Sequence, residues 1–321
     1  MSRLPILVLL CTSHLAIAQQ QPRVNIGIDW LEFHRGPKHD GNNPKDTAIS
    51  IDNVATLQLR WKAATGGAIF GSSPSVANGI VYVGSDDNNL YAFRAATGKL
   101  IWQAATGGQI NTAPAISNGM VYIGSADNSL YAFNAGNGQL TWSFATGGPV
   151  NSSPTLENGL IYFGSDDRYL RALDATTGQL VWSALTPLGP IETSPAVADG
   201  MVLVQPFTGG LMAFDAFTGA PLWTGATGAG YNQSSPAVAY GVVYMGSVDG
   251  YLYAFNAKTG DLLWNSSVGG YVESSPAVAD GVVYVGSDDT NLYAFDATTG
   301  ALRWSTATAN TVQSSPAVAN F

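Results

Sequence analysis

The chain has 321 residues, of which 46% are hydrophobic and only 11% charged, and its formal net charge is −9. An acidic balance of this kind argues against nucleic acid and anionic membrane surfaces, both of which select basic patches. The one cysteine, Cys11, leaves no partner for an internal disulfide, no thiolate metal cluster and no C-x-x-C-H haem attachment.

The N-terminus has Arg3, an apolar run over residues 4–11 and the small-residue sequence "AIA" at 16–18. That layout predicts a secretory signal peptide over 1–18, cleaved after Ala18, and export to the periplasm or beyond. Leu10 precedes Cys11 where lipoprotein processing calls for a small residue. No other apolar stretch approaches the ~20 residues that a membrane helix needs. Cleavage removes Arg3 and Cys11, taking the net charge to −10 and leaving no cysteine. Residues 19–56 form a lead-in, and 57–321 carry a repeat.

The repeat sets the fold. An "SP" proline falls at Pro74, Pro114, Pro154, Pro195, Pro236, Pro276 and Pro316, every 40 or 41 residues, and a tryptophan keeps the same beat from Trp61 to Trp304. Each repeat reads as four short strands. The first, "SSPAVA", ends in Asn-Gly or Asp-Gly, which supplies the positive φ angles of a type I′ hairpin. The second, "VVYVGS", is rich in β-branched and aromatic residues. An Asp/Asn cluster turns it into the third, "LYAF". An "ATTG" corner then leads to the fourth, which ends at the tryptophan. The corner glycines (Gly98, Gly138, Gly178, Gly219, Gly260 and Gly300) are expected in a conformation that a Cβ would forbid. Units of this kind bury both faces only by radial stacking, so the expected fold is an all-β propeller of four-stranded antiparallel blades. Six blades are complete over about 71–310. A seventh is expected to be composite and closed by both chain ends. Its outer strand would be 57–61 and its inner strand 314–319, with 24–33 and 46–51 between them.

The third and fourth strands carry A-x-[D/N]-x-x-x-G-x-x-x-W, as in "AFNAGNGQLTW" (132–142), "ALDATTGQLVW" (172–182) and "AFDATTGALRW" (294–304). This resembles the tryptophan-docking motif of the pyrroloquinoline-quinone (PQQ) type propeller repeat. The lead-in at 29–61 is similar to that of polyvinyl-alcohol-dehydrogenase-like proteins. The resemblance implies that each tryptophan packs on the neighbouring blade and that the glycine makes the corner. It implies two functional types. One is a PQQ- and calcium-dependent dehydrogenase oxidising alcohols or sugars; the other is a BamB-like scaffold without catalysis. The vicinal cysteines and haem motif frequent in the enzymes are missing here. His34 and His39, expected in an exposed lead-in loop, leave no histidine inside a blade for a catalytic triad or a zinc site.

Departures between repeats mark what the scaffold does not need. Three residues before each proline the column reads Gly71, Asn111, Asn151, Glu192, Gln233, Glu273 and Gln313. These residues are expected to ring the channel mouth. By resemblance Asn111 through Gln313 are the candidates for cofactor contact, and Glu192, Glu273 and Asn151 for calcium, which favours hard oxygen ligands. A hydrated polar funnel explains the same residues. Hairpins on the same face bring Asp86, Asp87, Asp127, Asp166, Asp167, Asp249, Asp288 and Asp289. Turn chemistry accounts for each singly, yet their summed field favours cations or a basic partner. Between the third and fourth blades the repeat is most altered. Arg168 and Arg171 enter, and Phe207 stands at an expected exposed hairpin tip, a candidate partner-binding notch. The function expected is that of an exported, monomeric, non-enzymatic binding or assembly scaffold. A quinoprotein dehydrogenase and an ion- or carbohydrate-binding module are the alternatives.

Overall fold

In each repeat the strand boundaries follow from local chemistry. Blade one comprises Ser75–Ala77, Ile80–Gly84, Asn89–Arg94 and Leu100–Ala105. Its first turn is Asn78-Gly79, with φ of +50° and +74°, and blades two, three, four and six repeat that pair of angles. Blade five uses Tyr240-Gly241 instead, so an exposed aromatic takes the left-handed position. The protein is described by a computed structural model covering residues 29–43, 56–228, 230 and 233–319.

Six four-stranded antiparallel sheets run in simple sequence order. Their second and third strands are buried on both faces, as in Leu160–Gly164. Fourth strands alternate in exposure, because one side faces solvent. Between the third and fourth strands the register slips once in every blade, at the Ala-Phe or Ala-Leu pair. This bulge bends the outer strand toward the corner glycine.

Blades are joined by three repeated contacts. Tryptophan Nε1 donates to an alanine carbonyl on the next blade: Trp61 to Ala95 at 2.8 Å, Trp102 to Ala135 at 3.0 Å, Trp182 to Ala216 at 2.9 Å. A second-strand tyrosine donates to the same carbonyl, as Tyr82 does to Ala135. The indole lies on the corner glycine, whose φ is near +70°. The "SSP" phrase supplies the third contact. Its second serine accepts the backbone N–H of the preceding blade, in a chain running Ala113 to Ser153, Ser153 to Ser194, Ser194 to Ser235, Ser235 to Ser275 and Ser275 to Ser315. Ser315 therefore places the last phrase as the inner strand of a seventh blade.

The two chain ends do close the ring, with the terminal phrase as the expected inner strand and a different stretch of the lead-in beside it. Val318–Ala319 pairs in parallel with Asn42–Asn43. Trp30, inside the segment expected to pair with 314–319, instead bridges Val76 on the inner strand of blade one. Residues 57–61 are not hydrogen-bonded as a strand, yet Trp61 docks on blade one as the expected outer strand requires. The segments 1–18, 24–28 and 46–51 lie outside the described residues.

The lead-in runs around the inside of the channel. Oxygens of Trp30, Leu31, Glu32, Pro37, Lys38, Asp40 and Gly41 accept, in that order, the N–H groups of Val76, Ile116, Leu156, Val197, Val238, Val278 and Val318. These donors occupy one equivalent position on the seven inner strands. One circuit of backbone satisfies groups that would otherwise line the channel unpaired.

Candidate binding face and channel

The linker and the hairpin of each blade meet on one face, opposite the Asn-Gly turns. There the hairpin aspartates fall into two columns with different work. In the outer column, Asp87, Asp127, Asp249 and Asp289 accept the hydroxyl of the tyrosine four residues on, at 2.5–2.7 Å. Asp127 and Asp289 also accept the linker glycine N–H of Gly107 and Gly269. For Asp87 and Asp289 burial pushes the carboxyl up, but the tyrosine and turn hydrogen bonds outweigh it and hold the group below its usual range. These aspartates staple hairpin to linker, so turn chemistry accounts for them.

The inner column is different. Asp166 accepts a hydrogen bond from Asn151 at 3.2 Å and lies within the field of Glu192. Asp288 stands in the same relation to Glu273. Burial, and then the adjacent aspartate, raise both Glu192 and Glu273 above the usual carboxylate range. Two half-buried acidic pairs therefore sit where linker and hairpin meet. Asn111 is also half-buried, whereas Gln233 and Gln313 are exposed. At Asn151 the column joins linker to hairpin through the hydrogen bond to Asp166.

Among the described residues, no three histidine, cysteine, aspartate or glutamate side chains gather as a metal group. The tryptophans of blades one to five all donate to the next blade.

The altered notch resolves into separate roles. Arg171 replaces the stapling tyrosine and grips Asp167 with both nitrogens, at 2.9 and 2.5 Å, while its guanidinium lies over Tyr169. Burial pushes Asp167 up, but Arg171 and the turn N–H groups hold it below its usual range. Arg168 is exposed, with φ of +71°. Phe207 is half-buried rather than projecting, and its N–H donates to the carbonyl of Pro190.

Sequence reasoning placed His34 and His39 in an exposed loop, and here the structure differs. Both are buried, at 6% and 0% exposure, because the lead-in fills the channel. His34 Nδ1 meets the His39 carbonyl at 3.2 Å, and His39 Nε2 meets Thr155 Oγ1 at 3.0 Å. The Thr155 hydroxyl donates to Pro195, so His39 Nε2 is the donor toward Thr155. Burial lowers His34 to about 4. Burial, and then His34, lower His39 to about 3. Both rings are thus neutral at physiological pH. Glu32, also overlooked in the sequence, is 4% exposed beside them. The available signal was a polar, aperiodic run ending in Asn42-Asn43, unlike any blade strand.

A family model described as "Outer membrane protein assembly factor BamB" matches residues 45–155, 128–193, 145–274 and 249–320. Among solved structures, BamB from Moraxella catarrhalis is similar at 21% identity, with a TM-score of 0.71, covering 80% of this chain and 82% of that one. The computationally designed Ika8 protein is similar at 17% identity and TM-score 0.59, covering 77% and 89%. No curated protein sequence matches the chain.

Proposed function

Because the chain belongs to the family of the outer membrane protein assembly factor BamB, we propose that it is an exported, non-enzymatic scaffold that binds another protein in the cell envelope. The observation that supports this reading is the pair of half-buried acidic couples, Asp166–Glu192 and Glu273–Asp288, where linker and hairpin meet. Glu192 and Glu273, raised by burial and then by the neighbouring aspartate, are relieved by an approaching cation. A basic segment of a partner, led by lysine or arginine, is the chemistry that suits them. Arg168 and Phe207, on the altered third and fourth blades, flank this face and would orient the partner. The signal-like composition of residues 1–18 supports export. No helix among the described residues is long and apolar enough to cross a membrane.

The test is capture from an envelope extract by the full chain and by a variant carrying Asp166→Asn, Glu192→Gln, Glu273→Gln and Asp288→Asn. The wild type should retain basic proteins that the variant releases, and raised salt should release them too. Equal capture by a variant with unchanged thermal unfolding would refute the acidic face. Incubation with PQQ and calcium, followed by dye reduction with alcohols, checks the enzyme alternative, and no reduction is expected.

A further inference from the structure

Six of the seven lead-in acceptors are backbone carbonyls, which carry no titratable charge. At blade three the acceptor is a side chain, the Oε2 atom of Glu32, 2.9 Å from Leu156 N. The circuit begins on blade one at Trp30 and ends on blade seven at Gly41, so it spans the seam between the first and last inner strands. Within it, residues 33–36 leave the ladder and fold into the channel, where Phe33 stacks on His34 and meets His39 edge-on.

Among the described residues, no cation balances Glu32. From the inner strand of blade three, Glu157 acts on it with the same sign. The cations of the lead-in, Arg35 and Lys38, act on Asp40, and Arg35 Nη1 donates to the Asn42 carbonyl. His34 and His39 are engaged with each other and with Thr155 and stay neutral. A carboxylic acid in this place accepts the Leu156 N–H as a carbonyl does. A carboxylate would be a buried charge without a counter-ion.

We propose that residues 30–41 are a releasable strap held by neutral Glu32, and that ionisation of Glu32 lets the strap leave the channel while the blades stay folded. The blades have their own fastenings in the docked tryptophans and the serine chain, neither of which involves the strap. Burial, with Glu157 adding to it, pushes Glu32 up to about 8, which places release in mildly alkaline solution. The sign follows from linkage. A carboxyl raised in the closed state favours closure at low pH, and closure weakens as pH rises from the ordinary value of 4.5 to about 8.

Limited trypsin digestion of the full chain reads this directly, because Arg35 and Lys38 lie within the strap. Their backbone must leave the channel to enter a protease cleft. Cleavage after Arg35 and Lys38, measured relative to Glu32→Gln at each pH, should rise about 30-fold from pH 6.5 to 9 and level off above. Cuts after Lys258 and Arg303, on the blades, should not rise with it. A flat ratio overturns the proposal, and so do blade cuts that keep step with the strap cuts. If Glu32→Gln does not fold, Glu157→Gln carries the test. It leaves the Glu32 carboxyl but removes the like charge, so its rise should level off at lower pH than in the wild type, and an unchanged profile overturns the proposal.

Discussion

Gly178 shows how much one missing Cβ contributes. Its φ is +73°, and an added Cβ would lie 2.6 Å from the Trp142 ring. Gly119, in a hairpin turn, has a similar φ of +76° but open space around it. Gly119→Ala should therefore cost only the backbone term, about 1 kcal/mol. Gly178→Ala adds overpacking and should cost about 2–4 kcal/mol. Urea midpoints of the two variants separate the terms, and equal losses would mean that the indole moves aside freely. Arg171 makes a related point about chemistry. As a sequence departure it looked like a surface feature available to a partner. In place it does the work of Tyr91, Tyr131, Tyr253 and Tyr293, holding the outer hairpin aspartate.

At the scale of the strand, the "SSP" phrase is a joint between blades as much as the start of an inner strand. Ser235 Oγ is the acceptor for Ser194 N at 2.9 Å, and the serine is 4% exposed. Ser235→Ala leaves that N–H buried and unpaired, so a loss of about 1–3 kcal/mol is expected. Ser143→Ala, on an exposed outer-strand position, should stay within about 0.5 kcal/mol. Chemical denaturation of both variants checks the contrast. Strand order, hairpin turns, corner glycines and tryptophan docking were legible in the sequence because each depends on a local signal repeated in register. The serine chain was not, since its partner lies a full repeat away and the hydroxyl's direction is set by the ring. The lead-in was still less legible. Its contacts are with seven separated strands, and Glu32, His34 and His39 carry no periodic pattern. The division of the hairpin aspartates into tyrosine-bound staples and an inner column was not legible either, because adjacent residues of one turn differ only in which neighbour each carboxylate meets.

Across the whole molecule, the buried groups of the channel set a pH optimum. His34 and His39 are lowered from 6.5 to about 4 and 3, so the folded protein binds fewer protons there than the unfolded chain. Their contribution is complete above pH 6.5 and is lost as pH falls through the folded values. Glu32, raised from 4.5 to about 8, works the other way. Its contribution is complete below pH 4.5 and is lost as pH rises toward 8. Between pH 4.5 and 6.5 the two buried histidines oppose Glu32, and the net contribution of these three groups rises. Between pH 6.5 and 8 Glu32 is the one of the three still titrating, and its contribution falls by about 1.4 kcal/mol per pH unit. The maximum is therefore expected near pH 6.5, with a decline of roughly 2 kcal/mol by pH 8. In Glu32→Gln the alkaline decline should vanish while the acid limb steepens, because the opposing titration is gone. Unfolding free energies from urea titrations between pH 4 and 9 supply the comparison. A wild-type profile that is flat from pH 6.5 to 8, or a Gln variant with the same decline, would show that the channel carboxyl is charged in the folded state.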